Sequence, residues 1–191
     1  MLNTLASIYQ GGAGGAGGSF ESIATATGTG SSGTIRFNSI PSTYKHLQIR
    51  GIARITYTSG IANSSPIGLT LNNAGTYSKH RLYGDGTSAL SSGNSSVGDV
   101  YIGNSANNDT TSGVVGVFIV DILDYTNTSK YKTIKSFAGV NNNTSSTNYH
   151  VDLYSGAINS SLSAVSSIEL FDDNGYNFDT TTQFALYGIK G

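Results

Sequence analysis

Three groups of residues in this chain are of a type that could do chemistry. His80 and Arg81, followed by Tyr83 and Asp85, run into Gly84-Asp85-Gly86. Charged and aromatic side chains beside a turn suit contact with a glycan or a receptor surface, although the same residues also read as a plain strand end. Asp172, Asp173, Asn174 and Asp179, with Asn177, surround Gly175 and offer the hard oxygen donors that calcium takes, about six to eight at a time. Their spacing departs from a helix-loop-helix calcium loop and lacks its closing glutamate, so a solvated turn is preferred and no metal is assigned. Asp121 and Asp124 are the third group, the carboxylate pair a glycan hydrolase would need. An odd number of residues apart on a strand, they face opposite sides.

The remaining chemistry is thin. His46, His80 and His150 lack the short helical spacing of a zinc motif, and the chain contains no cysteine, hence no disulfide, thiolate ligand or thiol nucleophile. No serine stands in a Gly-x-Ser-x-Gly elbow, and the glycine run near the start is not a Walker loop. The sequence assigns no catalytic residue and no cofactor, and the expectation is a protein that is not an enzyme.

The elements that must hold these residues are strands. From Phe20 onward the apolar pattern has period two, interrupted by Gly, Asn, Ser and Asp clusters, and no helical period persists for three turns. Leu47, Ile49, Ala53 and Ile55 alternate with Gln48, Arg50 and Arg54, giving one buried and one wet face. Further strands are expected at 20–26, 34–40, 67–71, 79–83, 99–103, 114–123, 131–140, 149–155, 167–171 and 183–189. The segment 114–123 is apolar on both faces up to Asp121, which places it mid-sheet, covered on both sides or lying at a subunit contact. Turn chemistry falls at Asn72-Asn73-Ala74-Gly75, Gly84-Asp85-Gly86, Asn127-Thr128-Ser129 and Asp172-Asp173-Asn174-Gly175. The expected fold class is all-β, a jelly-roll-like β-sandwich head over residues 19–191.

Ahead of the head lie two other segments. Residues 1–10 form an arm in which Leu2, Leu5, Ile8 and Tyr9 are spaced to line one helical face for attachment to a partner. Residues 11–18 form a hinge of Gly11, Gly12, Gly14, Gly15, Gly17 and Gly18, which gives flexibility and close backbone approach. The arm and its glycines are expected to rest against a neighbouring chain. Charged residues make up 11% of the 191 residues against about a quarter in an ordinary protein, with Lys+Arg 10 and Asp+Glu 11. That balance leaves no footprint for nucleic acid. The first residues lack a secretory pattern and no stretch is apolar enough to span a membrane, so neither secretion by a classical signal nor membrane insertion is expected.

Four blocks carry a resemblance to a known group. They are Ile40-Pro41-Ser42-Thr43-Tyr44-Lys45-His46-Leu47-Gln48-Ile49-Arg50-Gly51, Tyr83-Gly84-Asp85-Gly86, Ile122-Leu123-Asp124-Tyr125-Thr126-Asn127-Thr128-Ser129-Lys130-Tyr131-Lys132-Thr133 and the final Phe184-Ala185-Leu186-Tyr187-Gly188-Ile189-Lys190-Gly191. Together they resemble a group of tailed-bacteriophage virion proteins labelled tail fibre or structural protein. The resemblance implies a fibre-like or decorating subunit located in the virion, held to other virion proteins by its arm. A homo-oligomer, first of all a trimer, contacting a host surface glycan is the matching expectation. The other readings are a capsid-decorating protein, a free carbohydrate-binding β-sandwich module and a glycan-degrading enzyme.

Overall fold

The computed structural model describes residues 18–57, 64–73, 75–108, 112–141 and 149–191. The fold is all-β: twelve strands and, among the described residues, no helix. Eight strands run antiparallel in the order β1 (Phe20–Thr27), β12 (Gln183–Ile189), β3 (His46–Ile55), β8 (Gly116–Leu123), β9 (Thr133–Asn141), β10 (Tyr149–Ile158), β5 (Tyr77–Gly84) and β6 (Ala89–Val97). Four more run antiparallel as β2 (Thr34–Phe37), β11 (Ile168–Asp172), β4 (Ser64–Leu71) and β7 (Val100–Asn107). The end of β3 joins the two sets, because Arg54 and Ile55 pair in parallel with Ala106 and Asn107 of β7. The result is one continuous mixed sheet.

Alternation along the strands decides what is buried. In β3, Leu47, Ile49, Ala53 and Ile55 are fully buried, as their spacing predicts. Gly51 falls on the same side, and a Cβ there would sit 2.1 Å from the Phe184 ring, so glycine makes room for an aromatic from β12. The wet-face expectation fails at Arg54, which is buried: loops close over the end of β3, and its guanidinium donates to Asn108 Oδ1 at 3.1 Å and the Val114 carbonyl at 2.9 Å. The buried apolar side chains of both strand sets form one cluster, which holds Val100 and Ile102 of β7 together with Phe118, Ile134 and Ala138 of β8 and β9. Ser136 in β9 donates to the Ile102 carbonyl, a direct bond between β9 and β7.

The segment 114–123 lies mid-sheet, but among the described residues only one of its faces is covered. Phe118, Val120 and Ile122 are buried, whereas Val117, Ile119 and Leu123 are exposed. The expected turns appear where glycine and asparagine take positive φ, at Asn72, Asn73 and Gly75 and at Gly86 and Gly175.

Lys132 is a buried cation held by backbone alone. Its Nζ donates to the carbonyls of Asn127, Lys130 and Leu162, tying two loops together. Lys132→Met keeps the stem but strands three carbonyls, and hydrogen bonds to a charged group are worth about 1.5–3 kcal/mol. Urea denaturation of this variant should show a loss of about 2–3 kcal/mol; an unchanged midpoint would mean that water replaces the ammonium freely.

Candidate functional site

Strand alternation splits the residues His80, Arg81, Tyr83 and Asp85. Arg81 and Tyr83 point with Lys79 toward β7, while His80 lies exposed on the opposite face against Gly93. Asp85 is a turn former: its Oδ1 accepts from the Thr87 and Ser88 amides and the Thr87 hydroxyl at 2.7–2.9 Å. Those hydrogen bonds, led by the Thr87 amide, hold its carboxyl down to about 2.

Around Arg81 and Tyr83 the fold gathers side chains from three strands. Arg81 Nε donates to Asp152 Oδ1 at 2.7 Å, and its guanidinium lies 3.7 Å from the Tyr83 ring centre and 5.4 Å from that of Tyr154. Asp152 is 0% exposed; its second oxygen accepts from Asn104 Nδ2 at 2.8 Å. Lys79 pairs with Asp99 at 2.6 Å and stands 3.2 Å over the Tyr101 ring. Tyr101 in turn donates to Asp173 at 2.7 Å and meets Tyr154 edge-on. Burial raises the phenols of Tyr101 and Tyr154 well above the usual range, so both stay protonated donors.

Of these, Lys79, Arg81, Tyr101, Asn104 and Tyr154 line a cleft of about 130 Å³ together with Pro66, His80, Ser92 and Asn94, whereas Tyr83 and Asp152 stand behind it. That volume is well below the ~300 Å³ of a drug-sized site, which limits the occupant to a single ring or a chain end. Aromatic faces, a guanidinium, amides and hydroxyls are groups that bind a polyol by stacking and hydrogen bonding. Asp152 spends both oxygens on Arg81 and Asn104, so it positions the arginine instead of moving protons.

His150 sits beside the cleft with Nδ1 3.3 Å from Arg81 Nη2, and because the guanidinium can only donate, that nitrogen accepts and the ring is neutral. Its pKa is lowered chiefly by burial and by Arg81, against the pull of Asp152 and Asp85. With the folded value below the unfolded one of about 6.5, stability is present above that pH and lost as pH falls through the folded value. A melting curve recorded across this window should fall toward acid in the native chain and flatten there in His150→Gln. An equal acid slope in both would assign the effect elsewhere.

The other expected sites do not converge. Asp172 is buried, with oxygens accepting from the Ser65 hydroxyl and from the Asn174 and Tyr176 amides, and burial pushes its carboxyl up. Asn174 donates to Ser65, and Asp173 holds Tyr101. Asp179 caps Thr181 through its amide and hydroxyl at 2.8 Å. Among the described residues no three His, Asp or Glu side chains meet as a metal site would require. Asp121 on β8 accepts from Gln48 at 2.7 Å and lies near Lys135, whereas Asp124, in the following turn, pairs with Lys130 and Lys45, which lower it to about 2. Leu2, Leu5, Ile8, Tyr9, Gly11, Gly12, Gly14, Gly15 and Gly17 lie outside the described residues; Gly18 is exposed at the start of the chain described.

The sequence alone assigns Lys79, Asn104 and Asp152 to no site, whereas Tyr101 and Tyr154 are among the tyrosines it offers as stacking surfaces for sugars. The available signal was on β10, where His150, Asp152 and Tyr154 alternate with apolar Val151 and Leu153. Comparison with protein families, curated proteins and solved structures finds no match for this chain.

Proposed function

We propose that this chain is a structural subunit of a tailed-bacteriophage particle, a fibre or receptor-binding appendage anchored through its N-terminal arm and without catalytic activity. The head is read as a jelly-roll-like sandwich, with the four-stranded set laid over β8, β9 and β10. Its homo-oligomer, a trimer in the first instance, carries several clefts on one particle and turns weak contacts into avidity.

One observation carries this reading beyond the four sequence blocks. β1, where the chain emerges from its arm, is one edge of the eight-strand run, and β6, beside the cleft, is the other. Six strand spacings of about 4.8 Å put roughly 29 Å of sheet between β1 and Arg81 on β5. An anchored adhesin needs that polarity, with the tether at one end and the contact at the other. The cleft also supports the second reading, a free module that binds carbohydrate by the same residues.

Two measurements decide between them. Deleting residues 1–17 should leave a folded head that no longer joins particles; full incorporation of the truncated chain would defeat the tether. Arg81→Lys should keep the charge and the fold but lose the planar stack between tyrosines, lowering glycan-array or host-cell binding about tenfold. Binding by a soluble protein that is absent from purified particles would favour the free module.

A further inference from the structure

Two rows of apolar side chains cross the uncovered face of the eight-strand run. Residues directly opposite each other on neighbouring strands share a face. Ile52 pairs with Val117, Val117 with Gly139 and Gly139 with Val151, which sets one row across β3, β8, β9 and β10. In the next, Ile119 pairs with Phe137, Phe137 with Leu153 and Leu153 with Leu82, reaching β5. Each of these seven large side chains is 38–58% exposed. The following row turns polar through Gln48, Asp121, Lys135, Ser155 and His80.

We infer that this face is where a second copy of the chain docks. The seven side chains together present on the order of 600 Å² of surface, at the upper end of the ~300–600 Å² of the largest patch on a typical monomer. With the polar border added, the face approaches the roughly 800 Å² per partner that a standard-sized interface buries.

Shape and charge both favour a copy of the same chain. A contact between identical faces needs a projection and a recess on one surface. Phe137 projects at the edge of a hollow of about 530 Å³ that Gly139 leaves open between Ile52, Val117 and Val151. The one charge within the rows, Arg50, is drawn aside over the Phe20 ring at 5.2 Å and bonded to Gln48 at 2.7 Å. Asp121 and Lys135 on the border are of opposite sign, so a second copy meets no block of like charge. The face also includes the exposed side of β8, whose two-sided apolar sequence is otherwise unused.

This inference rests on the homo-oligomeric part of the reading above, replaces its trimer with a two-fold pairing of identical faces, and is independent of any particle. The test is the solution mass of the full-length chain by light scattering and sedimentation at micromolar concentration. The expected result is a multiple of the chain mass, reduced to that of one chain by Phe137→Lys with an unchanged melting temperature. Leu162→Lys, an exposed apolar site away from the rows, should keep the native mass. If Phe137→Lys does not fold, Val151→Lys reads the same contact. A native chain that is monomeric, or a Phe137→Lys protein of native mass, overturns the inference. So does an oligomer that dissociates on deletion of residues 1–17 yet survives Phe137→Lys, because the arm would then carry the association. The mass is read without phage, so failure of the virion reading leaves this result standing.

Discussion

Gly103→Ala removes much of the stability of this fold, by roughly 2–6 kcal/mol as the sum of two costs. The first is backbone strain. Gly103 lies in β7 with φ +142°, a conformation that L side chains rarely adopt, at the point where the register between β4 and β7 shifts. Holding a non-glycine residue there costs about 1–3 kcal/mol. The second is volume, since an added Cβ would stand 2.3 Å from Ala138 Cβ and 2.9 Å from the Phe118 ring. Neither neighbour can withdraw, because both belong to buried strand positions, and overpacking of this kind costs about 1–3 kcal/mol. Small domains are stable by about 5–15 kcal/mol, so the variant should unfold in far less urea than the native chain. The double variant Gly103→Ala with Ala138→Gly separates the two costs, restoring the packing part and leaving the strain. A Gly103→Ala protein that unfolds like the native chain would mean that β7 does not lie against β8 and β9.

How far the sequence reaches depends on how strongly burial constrains each strand. Strands with one buried face, such as β3 and β9, declare themselves, because Ile134, Ser136 and Ala138 must alternate with Thr133, Lys135 and Phe137 to fill one side. β6 has no such constraint. Nearly every residue of Ala-Leu-Ser-Ser-Gly-Asn-Ser-Ser-Val is exposed, so its composition reads as a loop, and only hydrogen bonding to β5 makes it a strand. Arg54 misleads for the opposite reason. Its position in the alternation is a wet one, and the loops that cover it come from residues 108 and 114, distant in sequence.

The cleft was half legible on the same terms. Arg81 and Tyr83 are two apart on one strand, so their shared face follows from period two alone, which also separates them from His80. Asn104 and Asp152 enter from β7 and β10, and no local pattern announces that these strands will meet there. Asp152 could be noticed only as a polar residue in a position whose neighbours two away, His150 and Tyr154, point inward with it.

That carboxylate is also where loss is expected to be greatest for stability and binding together. Asp152 has no exposure to water, whereas the Arg81 side chain is 20% exposed. Asp152→Ala therefore leaves a mostly buried guanidinium without its anion and the Asn104 amide without its acceptor. Breaking a buried pair from one side costs about 3–5 kcal/mol, and the partial exposure of Arg81 lowers the expectation to roughly 2–4 kcal/mol. The cost belongs to the stranded partner more than to the lost bond. Removing both residues in Asp152→Ala with Arg81→Ala should then destabilise by less than the sum of the two single changes. Additive effects would show that Arg81 finds water as readily as it found Asp152. Ligand contact distinguishes the variants further. Asp152→Asn retains the shape and an acceptor for Asn104 but not the charge that fixes the guanidinium between Tyr83 and Tyr154. A polyol that stacks on that plane should bind Asp152→Asn about tenfold more weakly even under conditions where the protein is fully folded, since the charged hydrogen bond from Arg81 Nε to Asp152 orients the guanidinium plane it rests on. If Asp152→Asn binds glycan as the native chain does, the arginine plane is not the contact surface, and the cleft is a structural ion pair alone.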